Sequence, residues 1–499
     1  MFMKPLYMNR YIEKMQKSST YFFVTIAQLM IIGMIFTGCA TVGPDYIPVR
    51  PDAPEKWHAE MNGGLVVDQS AAESPANWWS IFNDAELSAL MEEAVSGNLD
   101  LQTAISRVRE ARALRGITQA SLFPVVDASA TAAKQRTSRS DNKREEIDIY
   151  SAGFDAGWEI DVFGGIRRSI EASQADLEAV QENLQHVLIS LMAETALNYV
   201  EVRTFQARLD VLTGNVKTLE ETYDLNRSRY QAGIIGELAL QESLRSLESF
   251  RSGIPVLESG LSAAKNRLAV LLGKPPGELY PELSDTKPIP GIPKTVAVGI
   301  PAETLRNRPD VRRAERYLAA QTARIGVATA DLYPRFRLLG SIGLESLDTG
   351  DFFDWDSRFW GIGPNVSWRI FDAGAIRGNI EVQTIRQEQA LIEYQATILD
   401  ALEEVENALV AYAKEQQRQD SLSKAVLAAQ RAELLALDRY KAGLEGFFNV
   451  LDTQRSLLAL QDELEQSKGG VVGNLVRLYK ALGGGWEYST MMEPSSPIQ

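Results

Sequence analysis

Apolar side chains recur at alternating spacings of three and four residues over long stretches of the chain, which is the pattern of helices that pack along a seam. In the first half, this pattern predicts one helix from about Ile166 to Tyr230. A helix of that length spans roughly 100 Å, at about 1.5 Å per residue. The seam positions are Val202, Phe205, Leu209, Leu212, Val216, Leu219, Tyr223 and Tyr230.

The long helix should end at Ala232-Gly233, because glycine commonly terminates helices, and a second helix should return beside it. The heptad pattern resumes in the returning helix and in its counterpart in the second half. These positions are Leu247, Ile254, Leu261 and Leu268, and then Leu457, Leu464, Val471 and Leu478. The pattern therefore predicts two antiparallel helical hairpins, with turns near Gly233 and Gly443.

Two features should disturb the returning helices. Pro255 is expected to kink the first one, because proline lacks the N–H that a helix interior needs. Three glycines are expected to loosen the second one locally, namely Gly469, Gly470 and Gly473.

Two segments ahead of the first long helix alternate in part between apolar or small and polar residues, which is the period of a strand. They run from Val125 to Thr137 and from Ile147 to Asp161. A helix that carries Leu90 and reaches Ala120 precedes them. The clearest strand face consists of Tyr150, Ala152, Phe154, Ala156 and Trp158.

The chain repeats itself at a constant shift of 210 positions, which relates Trp158 to Trp368. Further pairs at this shift are Pro124 and Pro334, Gly164 and Gly374, Arg167 and Arg377, Tyr230 and Tyr440, and Leu272 and Leu482. One shift over most of the chain indicates a tandem duplication of a large unit. Each half is therefore expected to contain a helix, a strand pair and a long helical hairpin.

Long helices and strand pairs without strand–helix alternation exclude a doubly wound fold. We predict a mainly α fold with a transmembrane β-barrel contribution. Four strands are too few to close a membrane barrel, which needs at least about eight. Three copies would supply enough strands, so a trimeric α/β barrel duct is predicted.

The N-terminus is typical of an export signal. Residues 1–38 contain basic Arg10, Lys14 and Lys17 and an apolar run too short for a comfortable transmembrane helix. The run ends in Thr37-Gly38-Cys39, which resembles the lipobox of bacterial lipoproteins. The resemblance implies that Cys39 is the N-palmitoyl, S-diacylglycerol cysteine of an outer-membrane lipoprotein, with Ala40 as the sorting residue. The alternative is an apolar run that happens to contain the only cysteine.

Composition argues against several other classes. The formal net charge is −15, whereas nucleic-acid binding requires a basic face. One cysteine and two distant histidines make a metal site or a histidine-based catalytic site improbable. No phosphate-binding GxxxxGK[ST] motif is present, so we predict neither an ATPase nor another enzyme, and no cofactor.

Several motifs in a fixed order closely resemble TolC-like outer-membrane efflux proteins, in particular their OprM/NodT lipoprotein branch. The resemblance covers essentially the whole chain after Cys39. The matching segments are Val42-Gly43-Pro44-Asp45-Tyr46, Trp78-Trp79, Asn98-Leu99-Asp100-Leu101, the segment from Trp158 to Gly164, Arg306-Asn307-Arg308-Pro309-Asp310-Val311, and the segment from Leu478 to Trp486.

This resemblance implies a homotrimeric exit duct of a tripartite efflux pump, held in outer-membrane lipid and extending into the periplasm. Its partners would be a periplasmic adaptor and a proton-driven inner-membrane transporter of the RND type. The implied organisation is a lipid-anchored first repeat at 39–273, an equatorial linker at 274–301, a second repeat at 302–486 and a tail at 487–499.

In the family, the hairpin turns form a periplasmic tip that closes the duct at rest. The resemblance places Gly233 and Gly443 at this tip for adaptor docking, and Asp452 and Arg455 at its gate. Phe448 could add an apolar constriction, while Glu242 and Arg245 preserve the charges of the gate in the first half. The alternative is that Asp452 and Arg455 are an ordinary surface pair worth less than about 1 kcal/mol.

Two other functions remain open at this point. A duct for type I protein secretion would share the fold. A non-porous coiled-coil lipoprotein would explain the heptads and Cys39 but not the repeated strand pairs.

Overall fold

The computed structural model describes residues 41–49, 53–67, 77–138 and 144–484. The predicted signal peptide, the predicted lipidation site Cys39 and the predicted tail at 487–499 lie outside these ranges. The chain divides into two compact units. We call the first the sheet unit; it contains residues up to Ile47, Ala111–Leu177 and Tyr317–Leu391. We call the second the hairpin unit; it contains Pro48–Glu110, Glu178–Arg316 and residues from Ile392 onward.

Helices dominate the described residues, as predicted. In chain order they are α1 (Ala85–Gly97), α2 (Leu99–Ala120), α3 (Gly165–Gln231), α4 (Glu237–Arg251), α5 (Gly253–Leu271), α6 (Pro301–Asn307), α7 (Pro309–Ala330), α8 (Ala375–Lys441) and α9 (Phe447–Ala481). The two long helices α3 and α8 have 67 residues each. The helix expected from Leu90 to Ala120 is divided at Asn98 into α1 and α2.

The duplication read from the sequence is visible in the helix boundaries. A shift of 210 positions superimposes α2 on α7 and α3 on α8, end to end. The same shift places the start of α4 on the start of α9, and the end of α5 on the end of α9. The prediction of two tandem repeats is therefore confirmed.

Four strands form one antiparallel sheet in the order β2–β3–β5–β6. They are β2 (Val125–Ser138), β3 (Arg144–Ile160), β5 (Arg335–Ser346) and β6 (Arg358–Ser367). A second, parallel sheet consists of two short strands, β1 (Leu65–Val67) and β4 (Val296–Val298), which pair with each other. These two strands were not predicted from the sequence. The two repeats also make equivalent hydrogen bonds next to the sheet. The indole nitrogen of Trp158 donates to the carbonyl of Leu122 at 2.8 Å, and that of Trp368 donates to the carbonyl of Leu332 at 3.0 Å.

The end of each returning helix is held in the same way in both repeats. The Asn98 side chain donates to the carbonyl of Leu271 at 2.9 Å. At the equivalent place, Arg308 donates to the carbonyl of Ala481 at 2.6 Å. Arg308 also forms a bidentate pair with Asp310, at 3.0 and 2.7 Å. Burial raises the pKa of the Asp310 carboxyl. The hydrogen bond from Arg308 and its positive charge lower this pKa by more than burial raises it, so the pKa of Asp310 lies below its usual value.

Pro255 disturbs the first returning helix, although the break lies upstream of it. The helix is interrupted at Ser252, between α4 and α5. Pro255 lies in the first turn of α5, where a missing N–H is tolerated. If α4 and α5 were one continuous helix, the ring of Pro255 would clash with the carbonyl of Arg251. The predicted kink is thus a break between two helices.

The expectation that three glycines loosen the second returning helix is wrong. Helix α9 runs without interruption through Gly469, Gly470 and Gly473. A Cβ atom at Gly469 would lie 2.1 Å from Oγ1 and 3.1 Å from Cβ of Thr204 on α3. This glycine therefore permits a close approach of two helices, and the energy gained by packing outweighs the weaker helix propensity of glycine.

Among the described residues, no helix has a stretch both long enough and apolar enough to cross a membrane.

We predict that Gly469→Ala lowers the midpoint of thermal unfolding, measured by circular dichroism. Overpacking at a close helix contact costs about 1–3 kcal/mol. Gly214→Ala is the matched control, because it lies in α3 with nothing within 4 Å of the added Cβ. It should leave the midpoint unchanged or raise it. Equal midpoints for the two variants would contradict the close-packing role of Gly469.

Candidate functional site

One face of the four-stranded sheet is apolar and exposed. The register places Phe154 of β3 opposite Ala128 of β2 and Ile342 of β5, and Ile342 opposite Trp360 of β6. Side chains alternate between faces along a strand, so this row and its neighbours two residues away share a face. The exposed large apolar side chains on this face are Val126, Phe154, Trp158, Ile160, Ile342, Trp360, Ile362 and Val366. An apolar surface of this extent indicates contact with lipid or with another protein surface.

The opposite face of the sheet is mainly polar. Ser129 of β2 donates to Asp155 of β3 at 3.4 Å. Glu159 of β3 and Arg337 of β5 form an ion pair at 3.0 Å. A sheet with one apolar and one polar face is suited to separating an apolar medium from water.

The N-terminal end of the described chain is fastened to the sheet unit by Arg168, near the start of α3. The amide of Val42 donates to the carbonyl of Phe163 at 3.1 Å. Arg168, whose side chain is 3% exposed, pairs with Asp45 at 2.6 Å and with Glu171 at 2.8 Å. It also donates to the carbonyls of Val42 at 3.1 Å and Gly43 at 3.3 Å. The Val-Gly-Pro-Asp-Tyr motif, from Val42 to Tyr46, is thus an attachment segment that begins three residues after Cys39.

The tips of the two helical hairpins have the same backbone geometry. Gly233 and Gly443 have φ values of +72° and +73°, in the left-handed region that favours glycine. In each tip, the backbone amide of the residue after the glycine donates to a backbone carbonyl on the other side of the turn. The amide of Ile234 donates to the carbonyl of Arg229, and that of Leu444 donates to the carbonyl of Arg439, both at 2.9 Å. This pattern is a glycine-terminated helix end, and it explains why the helices stop where the sequence predicted.

Each tip presents two exposed apolar side chains at repeat-equivalent positions. They are Ile234 and Leu238 in the first hairpin, and Leu444 and Phe448 in the second, with exposures of 69, 73, 71 and 65%. Sequence reasoning singled out only Phe448. An apolar residue directly after the terminating glycine in both repeats was the signal that could have found Ile234 and Leu444, and the shift of 210 positions relates Leu238 to Phe448.

The predicted gate residues all lie on the returning helices near the tips. Asp452 and Arg245 are exposed, whereas Arg455 and Glu242 are half-buried. In the part of the chain that the structure describes, none of these four side chains takes part in an ion pair. Phe448 is exposed, while its neighbour Phe447 is buried and packs on Tyr440 with ring centroids 5.2 Å apart. A single chain therefore does not assemble the predicted gate, whose residues stay predictions.

Near the tips, the two hairpins are joined by a buried contact that sequence reasoning missed. The Tyr440 hydroxyl donates to the side-chain oxygen of Asn226 at 2.8 Å. The Arg229 guanidinium lies 4.9 Å from the centre of the Tyr440 ring, which is cation–π distance. Tyr440 thereby couples the end of α8 to the end of α3.

Within the described ranges, no three His, Cys, Asp or Glu side chains come together as a potential metal site.

Comparisons with known proteins agree with this architecture. The family model of outer membrane efflux proteins matches residues 90–274 and 300–484. Nodulation protein T of Rhizobium leguminosarum bv. trifolii is 31% identical over 450 residues, covering 90% of this chain and 94% of that protein. The pyoverdine export outer membrane protein OpmQ of Pseudomonas aeruginosa is 31% identical over 447 residues, covering 87% and 92%. The solved outer-membrane channel OprN is 36% identical with a TM-score of 0.84, covering 90% of this chain and 100% of that one.

At the second tip, we predict that Gly443→Ala accelerates amide hydrogen exchange across 437–447 roughly fivefold. An alanine in the left-handed region costs about 1 kcal/mol, which favours local opening by that factor. Gly446→Ala is the control, since Gly446 has a φ of −77° that alanine adopts freely. If both variants exchange alike, the conformation of Gly443 does not determine the stability of this tip.

For the attachment segment, we predict that Arg168→Ala accelerates exchange of the amides of residues 41–47 by roughly tenfold or more. Hydrogen bonds to a charged partner contribute about 1.5–3 kcal/mol, and the variant loses several of them. Arg324→Ala, which breaks the Arg324–Asp176 pair at 2.5 Å in the same unit, serves as control. Unchanged exchange in Arg168→Ala would show that other contacts hold the segment.

Proposed function

The chain belongs to the outer membrane efflux protein family, and from this membership we propose that it forms, as a homotrimer, the exit duct of a tripartite efflux pump. The family consists of outer-membrane channel proteins. The duct is passive, and cargo reaches it from a periplasmic adaptor and an inner-membrane transporter of the RND type.

The observation that carries this proposal is the sheet with one apolar and one polar face. Its outer strands β2 and β6 each have one edge that pairs with no other described strand. Three copies joined edge to edge would close a barrel of twelve strands, above the lower limit of about eight. The apolar face, which includes Phe154 and Trp360, would then meet lipid, and the polar face would line a water-filled passage.

The hairpin tips supply the surface for the adaptor. Ile234, Leu238, Leu444 and Phe448 are apolar and exposed, although they lie at helix ends, where polar residues would be expected. Six such tips in a trimer would present a ring of small apolar patches. Asp452 and Arg455, with Glu242 and Arg245, would form the gate ring inside it, because their partners come from neighbouring copies.

The lipid on Cys39 anchors the duct to the outer membrane. The attachment segment held by Arg168 begins at Val42, so a chain length of at most about 11 Å separates it from Cys39. Lipid and sheet would therefore enter the membrane side by side. The same proposal assigns 39–273 and 302–486 to the two repeats, 274–301 to the linker and 487–499 to the tail.

The sheet also distinguishes the proposed function from one of the two alternative functions. A non-porous coiled-coil lipoprotein would not explain a sheet that has one apolar and one polar face. A duct for protein secretion would have the same fold, and the Cys39 lipobox with its attachment segment favours the efflux branch.

The test is the drug susceptibility of a deletion strain that is complemented with the wild-type chain or with Cys39→Ala. We expect deletion to sensitise cells to several unrelated compounds, and the wild-type chain to restore resistance. Cys39→Ala should restore resistance only in part, because the barrel remains but the anchor is lost. Unchanged susceptibility with loss of export of one specific protein would favour the secretion duct instead.

A further inference from the structure

The apolar face of the sheet ends in a band of charged residues, on the side that lies away from the connections to the helices. The register places two charged pairs of β2 and β3 beyond Tyr150 on this face. Lys134 lies 3.8 Å from Asp148, and Arg136 lies 2.6 Å from Glu146. We call these two ion pairs the charged band. Tyr150 is therefore the last aromatic residue of the apolar face before its polarity changes.

The length of the apolar face matches the thickness of a membrane. From Ile160 to Tyr150, β3 rises roughly 33 Å along its own direction. Strands of membrane barrels tilt by about 40°, so this length corresponds to about 25 Å along the barrel axis, which is the usual height of the apolar band. In the proposed barrel, Tyr150 and the charged band thus lie at the level of the outer lipid head groups.

The connection between β5 and β6, residues 347–357, folds toward this end of the apolar face, and we call it the outer loop. Ser346 and Arg358 flank the loop, and the register places both on the apolar face. The Ser346 hydroxyl donates to the backbone carbonyl of Asp348 at 2.9 Å and accepts from its amide at 3.2 Å. The Arg358 guanidinium lies 3.7 Å from the centre of the Trp355 ring, within cation–π distance. Both contacts hold the loop on the apolar side of the sheet.

A cavity of about 470 Å³ lies between the outer loop and the sheet. Phe352 and Phe353 of the loop line it, with ring centroids 5.2 Å apart. Ala132, Tyr150 and Ala152 line it from the apolar face. Water would find few hydrogen-bond partners among these side chains. An apolar cavity that adjoins a lipid-facing surface has the chemistry to accept an acyl chain.

Arg358 supplies a positive charge beside this cavity. It lies opposite Leu344, which lies opposite Ala152 in the cavity wall, so two strand spacings of about 10 Å separate Arg358 from the wall. Among the described residues, no carboxylate forms an ion pair with Arg358, whereas the cations of the charged band are paired. An exposed guanidinium without an acidic partner is suited to bidentate binding of phosphate.

We infer that the outer loop and Arg358 of each copy bind one phosphorylated, acylated glycolipid, the kind of lipid that forms the outer leaflet of outer membranes. A lipid phosphate pairs with Arg358, and one acyl chain enters the cavity beneath Phe352 and Phe353. The exposed rings of Phe353 and Trp355 contact the remaining chains at the membrane boundary. The inference rests on the proposed barrel and specifies a lipid held at its outer rim.

The acidic residues of the outer loop determine which lipid fits. The loop contains four aspartates, namely Asp348, Asp351, Asp354 and Asp356. Within the described ranges, no three acidic side chains come together to hold a metal ion by themselves. Mg²⁺ commonly binds one or two carboxylates together with phosphate oxygens. A lipid with two phosphates can therefore pair one with Arg358 and bridge the other to a loop carboxylate through Mg²⁺, which a lipid with a single phosphate cannot do.

Native mass spectrometry of the purified trimer tests this site. The trimer is stripped of lipid and incubated with lipid A, a doubly phosphorylated and acylated glycolipid, in the presence of Mg²⁺. The wild type should bind one molecule per copy, and removal of Mg²⁺ with a chelator should weaken binding. Arg358→Ala should weaken binding roughly tenfold, because it loses charge-assisted hydrogen bonds to phosphate.

The matched control for the charge is Lys134→Ala. Lys134 is exposed on the same face but belongs to the charged band, where it is paired with acidic residues. Its loss should leave lipid A binding unchanged. Equal weakening by Arg358→Ala and Lys134→Ala would show general attraction to basic residues and would overturn the site.

A second pair of variants tests the cavity. Ala132→Leu places a larger side chain in the space assigned to the acyl chain and should weaken lipid A binding severalfold. Ala128→Leu is the control, because Ala128 lies on the same strand and face but does not line the cavity. Both substitutions keep the face apolar, so the sheet should form in each. Equal binding by the two variants would overturn the placement of the acyl chain.

The remaining outcomes separate this inference from the proposed function. A wild-type trimer that conducts ions but retains no lipid A would overturn the lipid site and leave the duct intact. Equal binding of phosphatidylglycerol, which has one phosphate, would overturn the choice of a doubly phosphorylated lipid. If no ion-conducting trimer forms, the proposed function fails, and the count of lipid A on the chain extracted from membranes still decides the site.

Discussion

The edge strands β2 and β6 each carry a row of backbone N–H and C=O groups that no other described strand pairs with. Lipid cannot satisfy such groups, so a sheet inside a membrane must close on itself. Four strands cannot close, whereas three copies of them can. The proposed trimer meets this requirement, because it pairs the free edges of β2 and β6 with those of neighbouring copies. The same requirement explains the polar face of the sheet, which turns toward the enclosed water once the barrel closes.

Duplication determines how the helices meet the same requirement. Each copy contributes two hairpins with nearly equal backbones, as the identical boundaries of α3 and α8 after the shift show. Equal backbones permit a ring, but the side chains differ between the repeats. Arg208 of the first hairpin pairs with Asp462 of the second, whereas its repeat equivalent Arg418 pairs with Glu463 of its own hairpin.

Local patterns in the sequence predicted the main elements closely. The helix expected from Ile166 to Tyr230 runs from Gly165 to Gln231 and ends at the glycine turn that the sequence predicted. The three-residue strands β1 and β4 could not be predicted, since so short a segment shows no period. The contacts of Arg168 with residue 45 and of Tyr440 with residue 226 join positions more than 100 residues apart, which no local pattern encodes. The gate around Asp452 depends on several copies and stays a prediction.

We propose that three copies enclose a continuous water-filled passage through a membrane. The most direct measurement is the ionic current across a planar lipid bilayer to which the purified trimer is added. We expect discrete current steps of uniform size from the trimer and none from the dissociated monomer, because only the closed assembly encloses a passage. Insertion of intact trimers without any current steps, under conditions that also open the hairpin tips, would contradict the account.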